Sequence, residues 1–379
     1  MKVMKVLYLF RSLAVWGGIE RILVEKMNHL VTMYGDEVFM LTNSQGKHPV
    51  PYQLVDGVRL ADLGIQFHLQ YRKRGLMRLW DGHRRTRLFE QRLSEQIERI
   101  QPDIIVCTTA DPVYSIAKVK GAIPLIVESH SICSRTLGET SSRQRYVAHL
   151  LKRGLKHASC LVAMTEQDAC EWCKLGLHVE VIPDMVHLND GALSSFTRKR
   201  VIFVGRFDYQ KRPLEIIHIW QRVFPQFPDW HLDIYGDGEQ RREVEALASE
   251  LDMNIHVHMP TGEIFECYRN SSILVSTSLF EPFGLVIPEA MSCGLPVVAY
   301  DCPYGPSTLI ADGENGFLVE NHHADAFASQ LSLLMSDENL RQRMGQAAAK
   351  SAQAYSAEKI MPMWQQLFWR QFPWQVSDR

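Results

Sequence analysis

The 379-residue sequence lacks the features that define several large classes of protein. No apolar run approaches the roughly 18 uncharged residues that a membrane-spanning helix needs. The first apolar run, residues 6–10, ends at Arg11 and is too short for the apolar region of a secretory signal. Eight cysteines are scattered along the chain without an export signal, which predicts reduced thiols and a cytoplasmic protein.

The sequence also lacks an excess of positive or negative charge. Lysine and arginine total 41 against 43 aspartates and glutamates, a formal net charge of −2, so no overall field draws the chain to nucleic acid. Hydrophobic residues make up 46% and charged residues 22%, which is an ordinary globular composition. The length, at about 150 residues per domain, predicts two domains.

Familiar phosphate-binding motifs are missing too. There is no P-loop motif, and Gly236 and Gly238 begin a dinucleotide fingerprint that Arg241 breaks. No Asp-x-Asp pair occurs, although enzymes that hold a sugar nucleotide through a divalent metal commonly have one. The sequence therefore favours a way of holding phosphate without a metal ion, and we expect neither a metal site nor a cofactor.

Short apolar runs alternate with amphipathic stretches such as residues 18–34, the pattern of parallel strands separated by helices. The predicted strands are residues 5–10, 37–42, 103–108, 124–128, 160–165, 201–207, 231–235, 255–259, 273–276 and 296–300. A polar segment at 189–199 interrupts the pattern. We therefore predict two α/β domains with doubly wound parallel sheets, over 1–192 and 193–361, and a C-terminal helix, 362–379, that packs back on the first.

The segment 278–294 places Glu281 and Glu289 eight positions apart, with Gly284 between them. A strand that ends near residue 277 and a helix that begins near Leu285 bring both glutamates to the carboxyl edge of the sheet, where α/β sheets bind ligands. Helix N-terminal amides there can donate to an anion. The spacing alone leaves open a loop glutamate and an ordinary helix-face glutamate.

Cations and glycines follow two other strands. Gly205 allows a close backbone approach, Arg206 can fork onto phosphate oxygens, and Lys211 supplies a point charge, interpreted as an exposed cation at a helix start. In the first domain, Gly17 and Gly18 let backbone amides face an anion. Each signal by itself also fits a plain turn.

Together these residues resemble the retaining glycosyltransferases of family four, which have the GT-B fold. The resemblance covers essentially the whole chain and is carried by Gly17-Gly18-x-Glu20-Arg21, Gly205-Arg206 with Lys211, Glu281-x7-Glu289 and Gly294-x-Pro296-Val297-Val298. It implies two Rossmann-like domains with an interdomain cleft, in which the first domain is the acceptor side and the second holds most of the sugar nucleotide. It also implies transfer of a hexose from a nucleoside diphosphate with retained anomeric configuration and no obligatory metal.

The resemblance also implies roles for individual residues. Arg206 and Lys211 are expected to hold the diphosphate, and Glu289 to accept the ribose hydroxyls. Glu281 is expected beside the donor sugar, as a nucleophile or only as a polar contact. The remaining expected contacts to sugar or phosphate are the backbone groups of Gly18, with Gly17 beside it, and of Gly205, Phe283, Gly284 and Leu285.

Two further matches refine the expected substrates. His130 follows a buried strand where the family often has a histidine that reaches the donor sugar; a structural loop histidine is the alternative. The segment 302–306 (CPYGP) resembles a subset that builds bacterial surface polysaccharides, often from UDP-linked hexoses or N-acetylhexosamines. UDP is therefore the preferred nucleotide and GDP the alternative, with a glycan or lipid-linked sugar as acceptor.

Residues 71–92 hold eight arginines and lysines against Asp81 and Glu90, with interleaved leucines and Trp80. Such a helix can lie on an anionic membrane at the inner face of the cell, or it can be a surface helix packed on the first sheet. Two other functions stay open: a sugar-nucleotide-binding protein without turnover, and a UDP-sugar epimerase of similar shape.

Overall fold

The computed structural model of the chain describes residues 3–138 and 141–372, which divide into two compact units. Unit 1 comprises the described residues of Met1–Met185 and Ile360–Arg379, and unit 2 comprises Val186–Lys359. The chain thus enters unit 2 after residue 185, where the sequence places the boundary after 192, and it returns to unit 1 at residue 360, where the sequence predicts 362.

Unit 1 is built on a sheet of seven parallel strands in the order β3-β2-β1-β4-β5-β6-β7. The strands are β1 Lys5–Phe10, β2 Glu37–Thr42, β3 Val58–Asp62, β4 Ile104–Thr108, β5 Leu125–Glu128, β6 Cys160–Ala163 and β7 Val179–Val181. The helices between them are α1 Gly18–Tyr34, α2 Gly75–Ile100, α3 Val113–Val119, α4 Cys133–Thr136, α5 Ser142–Leu155 and α6 Glu166–Cys173.

Unit 2 repeats this plan with six parallel strands in the order β10-β9-β8-β11-β12-β13. Its strands are β8 Arg200–Val204, β9 His231–Tyr235, β10 Ile255–His258, β11 Ile273–Ser276, β12 Val297–Asp301 and β13 Gly316–Glu320. Its helices are α7 Pro213–Val223, α8 Arg241–Glu250, α9 Ile264–Arg269, α10 Val286–Ser292, α11 Gly305–Leu309, α12 Ala324–Ser336 and α13 Glu338–Ala352.

Both sheets have the doubly wound order of Rossmann-like domains, which confirms the predicted fold class. The central strands β4, β5, β6 and β11 are buried along their whole length because helices cover both faces. The sequence missed β3, β7 and β13, each at the edge of a sheet. Edge strands are shorter or more exposed, so they lack the continuous apolar run that marks the inner strands.

The last helix of the described residues is α14, Ala357–Gln371, which packs on unit 1 from residue 360 onward. The Trp364 ring lies 4.1 Å from the ammonium group of Lys26, and the Gln365 amide donates to Asp36 Oδ2 over 2.5 Å. The rest of the helix predicted over 362–379, residues 373–379, lies outside the described residues. No helix among residues 3–138 and 141–372 is long and apolar enough to cross a membrane.

Candidate nucleotide-sugar site

Two loops of unit 2 meet at the carboxyl edge of its sheet, because β8 and β11 are neighbouring parallel strands. One loop joins β8 to α7 and the other joins β11 to α10. The Thr277 hydroxyl donates to the carbonyl oxygens of Lys211 (3.1 Å) and Arg212 (2.9 Å), and the Leu279 amide donates to the Gln210 carbonyl over 2.8 Å. These hydrogen bonds fix the position of one loop relative to the other.

Lys211 and Glu281 form an ion pair between these loops, Nζ to Oε1. The Ser278 hydroxyl donates to the same carboxylate oxygen over 2.7 Å. The side chains of Lys211 and Glu281 are only 15% and 5% exposed, so the interpretation of Lys211 as an exposed cation is wrong. Gly205 makes room for the lysine, since a Cβ there would lie 3.2 Å from Lys211 Cγ.

Arg206 is placed differently from Lys211. Its side chain is 69% exposed, and Nη2 lies 3.2 Å from Asp208 Oδ2 and 3.0 Å from Gln210 Oε1. The structure therefore holds the guanidinium at the rim of the loop, with partners of its own, and does not bring it into contact with the Lys211–Glu281 pair.

The loop that follows β11 supplies backbone donors. Gly284 has a φ of +92°, a left-handed conformation that favours glycine. The backbone N–H groups of Phe283, Gly284 and Leu285 donate to no acceptor in the described part of the chain. Glu289, in the first turn of α10, is buried, and its Oε2 accepts from the Tyr268 hydroxyl over 3.4 Å. This loop thus combines free donors with a fixed carboxylate.

In unit 1, Gly17 and Gly18 begin helix α1, as the sequence predicts, with Gly17 at the N-cap. The carboxylate of Glu20 lies so close that a Cβ on Gly17 would come 2.1 Å from Glu20 Oε2. Burial raises the pKa of Glu20, whereas a backbone hydrogen bond and the nearby Arg11 and His130 lower it. The helix start and His130 therefore share one electrostatic neighbourhood within unit 1.

His130 is held by a buried group of charges at the end of β5. Its Nε2 lies 3.0 Å from Glu128 Oε2, the oxygen that the Lys26 ammonium also contacts, and its Nδ1 lies 3.8 Å from Asp184 Oδ1. Burial alone would raise the pKa of Glu128, but Lys26 and His130 hold it down to about 2. Because Glu128 is a carboxylate, Nε2 is the ring nitrogen that donates to it.

Unit 1 also contains an open groove with a volume of about 1720 Å³. Helices α2, α3 and α5 supply its walls through residues such as Leu79, Tyr114 and Tyr146, and Arg11 and Asp111 lie at the strand ends. On α2, Leu76, Met77, Leu79 and Trp80 are between 65% and 83% exposed. Two residues of the predicted basic set turn inward, since Arg85 pairs with Asp81 and Arg92 donates to the Leu63 carbonyl.

Sequence reasoning missed Glu128, Lys26, Asp184 and Asp111 as candidate site residues. The signal for two of them was available: Glu128 ends an otherwise apolar strand, and Lys26 stands within the apolar stripe of α1. A charge at a position that periodicity assigns to the core needs a buried partner. In the described ranges 3–138 and 141–372, no three histidine, cysteine, aspartate or glutamate side chains are grouped to bind a metal.

Comparison with known proteins places this fold and these motifs in a class. The structure resembles a mutant of TarM from Staphylococcus aureus, solved with UDP and α-GlcNAc-glycerol, at a TM-score of 0.78 and 15% identity, covering 97% of this chain and 100% of TarM. It also resembles HepE from Anabaena, solved with UDP and glucose, at a TM-score of 0.72 and 20% identity over 97% and 100% of the chains. The fold is therefore that of the GT-B glycosyltransferases.

The family follows from the sequence comparisons. A model described as Glycosyltransferase Family 4 matches residues 16–190, and one described as Glycosyl transferases group 1 matches residues 192–351. Together they take in most of the chain, which belongs to family four of the glycosyltransferases. The amylovoran biosynthesis glycosyltransferase AmsD of Erwinia amylovora is 35% identical over 173 residues, 45% of this chain and 48% of AmsD. The chain spans about half the length of the first curated relatives that it matches.

Proposed function

We propose that the chain is a retaining glycosyltransferase that moves a hexose or N-acetylhexosamine from a UDP-sugar, with GDP as the alternative nucleotide, to a hydroxyl group of a glycan or lipid-linked sugar. Surface polysaccharide synthesis is the proposed context, and no metal ion is required. The observation that carries the proposal is the Lys211–Glu281 pair at the carboxyl edge of β8 and β11, next to the free amides of residues 283–285.

The chemistry needs such a group of donors. When the bond between sugar and diphosphate breaks, negative charge builds on the leaving phosphate oxygens. A lysine fixed between two loops stabilises that charge without reorganising, and so do amides that have no other acceptor. Arg206 is exposed and can swing onto the outer phosphate.

Two carboxylates orient the donor. Glu281 is held by Lys211 and Ser278, and it contacts the donor sugar. Glu289 is buried and steadied by Tyr268, and it accepts the ribose hydroxyls. His130 is held through Nε2 by Glu128, and its proposed role is the one the resemblance implies, a contact to the donor sugar. These are the roles that the family resemblance implies, and the site geometry is compatible with each role assigned within unit 2.

The complexes of structural neighbours support UDP as the nucleotide. TarM was solved with UDP and an α-linked GlcNAc-glycerol, and HepE with UDP and glucose. AmsD takes part in amylovoran biosynthesis, which supports a polysaccharide as the product.

The function is tested by incubating the purified chain with a panel of UDP- and GDP-sugars and sugar acceptors. Release of free nucleoside diphosphate together with a new glycosidic bond is expected, and the NMR coupling constant of the new anomeric proton reports retention. A binder without turnover releases no nucleotide, and an epimerase yields an isomerised sugar nucleotide without free UDP. Either of these results would refute the proposal.

We also propose that α2 contacts an anionic membrane. Six basic residues of the predicted stretch have no carboxylate partner within the part of the chain that the structure describes: Arg72, Lys73, Arg74, Arg78, Arg84 and Arg87. The adjoining Leu76, Leu79 and Trp80 are each at least 66% exposed. Cations beside exposed leucine and tryptophan suit a surface of acidic headgroups over apolar chains.

Co-sedimentation with vesicles of phosphatidylglycerol and phosphatidylcholine tests this contact. We expect binding that weakens with salt and is lost in Leu76→Ser/Leu79→Ser/Trp80→Ser, whereas Leu333→Ser, an exposed leucine on α12, leaves it unchanged. Equal binding of the triple variant would show that α2 is an ordinary surface helix.

A further inference from the structure

The loop between β8 and α7 contains one carboxylate, that of Asp208, which takes no part in the roles proposed above. Asp208 stands between Arg206 and Lys211, the two cations proposed to hold the diphosphate. Its side chain is 21% exposed, far less than the 69% of Arg206, so the carboxylate is the more enclosed partner of their ion pair.

One oxygen of this carboxylate fixes the backbone of Lys211. Oδ1 accepts from the amides of Gln210 and Lys211, each over 3.0 Å, and the Asp208 carbonyl accepts from the Arg212 amide, also over 3.0 Å. A short polar side chain that binds amides two and three residues further along is a common way to fix a turn. The turn therefore sets the direction in which the Lys211 side chain leaves the loop to meet Glu281.

The other oxygen holds Arg206. Oδ2 lies 3.2 Å from Arg206 Nη2, which also donates to Gln210 Oε1 over 3.0 Å. The Gln210 side-chain amide in turn donates to the Phe280 carbonyl over 3.1 Å, so this second acceptor is itself fixed. A phosphate oxygen that binds Nη2 competes with both acceptors, and Asp208 is the one that carries a charge.

We propose that Asp208 is a positioning residue for both cations: through Oδ1 it aims Lys211 at the leaving phosphate, and through Oδ2 it holds Arg206 aside until the diphosphate replaces it. This inference rests on the proposed function and deepens it at the same site. The two contacts have opposite effects. The first raises the rate, because a misplacement of about 1 Å costs up to about 100-fold in rate. The second lowers the affinity for the nucleotide, because the ion pair must break first.

Two substitutions at Asp208 separate these effects. Asp208→Asn keeps an oxygen that can accept from the two amides but removes the charge that pairs with Arg206. It should tighten UDP binding by about 2- to 5-fold, the worth of a partly exposed ion pair. Asp208→Ala removes both contacts and should lower kcat by about 10- to 100-fold. The kcat of Asp208→Asn should be about tenfold or more above that of Asp208→Ala, since the turn is kept. Isothermal titration calorimetry with UDP and release of UDP from the UDP-sugars of the panel measure the two quantities.

Two controls distinguish positioning from a structural role. Asp337 caps helix α13 of unit 2 by accepting from the Leu340 amide over 2.9 Å, the kind of bond that Asp208 makes. Asp337→Asn and Asp337→Ala should leave kcat and UDP affinity unchanged, although Asp337→Ala lowers the melting temperature. In an Arg206→Gln background, Asp208→Asn should lose most of its effect on UDP binding, because no guanidinium is left to release.

Failure of the inference is distinguishable from failure of the proposed function. If Asp208→Asn binds UDP no more tightly than the wild type, or tightens it equally without Arg206, Asp208 does not hold Arg206 aside and the inference is wrong. Equal kcat values of Asp208→Asn and Asp208→Ala would likewise overturn the aiming of Lys211. The affinity measurement stays decisive even where Asp208→Ala fails to fold. If Asp208→Asn tightens UDP binding through Arg206 but no sugar is transferred, the hold on Arg206 stands and the proposed transfer activity is wrong.

Discussion

Replacement of Lys211 by alanine tests the proposed site most directly. Lys211 is 15% exposed and pairs with Glu281, which is 5% exposed. When the lysine is removed, the Ser278 hydroxyl is the remaining side-chain partner of the Glu281 carboxylate among residues 3–138 and 141–372. Removing the cation from a buried carboxylate lowers the free energy of unfolding by up to about 3–5 kcal/mol. Removing one partner of an exposed ion pair lowers it by about 0–1 kcal/mol. Because Lys211 is partly exposed, we expect Lys211→Ala to lower the free energy of unfolding by about 2 kcal/mol, between these two limits.

In Lys211→Ala, turnover should fall by far more than the loss of folding stability can explain. Loss of one preorganised donor to a developing oxyanion lowers turnover by about 100- to 1,000-fold. The unfolding transition of unit 2 should move down by about 5 °C, because 1 kcal/mol corresponds to roughly 2–4 °C for a domain of this size. Release of UDP and differential scanning calorimetry on the same preparation measure the two effects.

Two further variants test whether the Lys211 charge itself is responsible. Lys211→Met/Glu281→Gln removes both charges, so it should regain much of the stability while turnover stays low. Lys199→Ala, which breaks the exposed pair with Asp229 in the same unit, should change neither property appreciably. If Lys211→Ala transfers sugar at a rate near that of the wild type, the lysine does not stabilise the leaving diphosphate, and Arg206 with the loop amides must do so alone.

Three other outcomes are expected. Activity should persist in EDTA; loss that Mg²⁺ or Mn²⁺ restores would show a metal requirement. In a crystal structure with UDP bound, the diphosphate should contact the Lys211 ammonium, and a diphosphate bound away from Lys211 would contradict the proposed site. The pKa of Glu128 is depressed to about 2 from an ordinary value of 4.5, so its pairing with Lys26 stabilises the fold above about pH 4.5 and that stability is lost as pH falls towards 2. Glu128→Gln should be less stable at pH 7 and should lack this part of the acid dependence in urea titrations at pH 2–5.

Much of the fold follows from local pattern. The helix predicted over residues 18–34 and the strands predicted over 5–10, 37–42, 231–235 and 273–276 agree with the structure to the residue. Continuous apolar runs identify strands that helices cover on both faces, since burial imposes the same composition on every such strand. The strand predicted over 201–207 ends at Val204, because from Gly205 the chain turns into the loop that carries the candidate site.

The sequence by itself determined two doubly wound units and the motif residues at the strand ends. Only the tertiary structure decided which charges are buried together. Lys26 meets Glu128 across 102 positions, and Gln365 meets Asp36 across 329 positions. Periodicity reports which face of one segment is covered, but not which distant segment covers it. The order of the strands and the return of α14 to unit 1 fix those partners, and with them the burial of Lys211 and the orientation of His130.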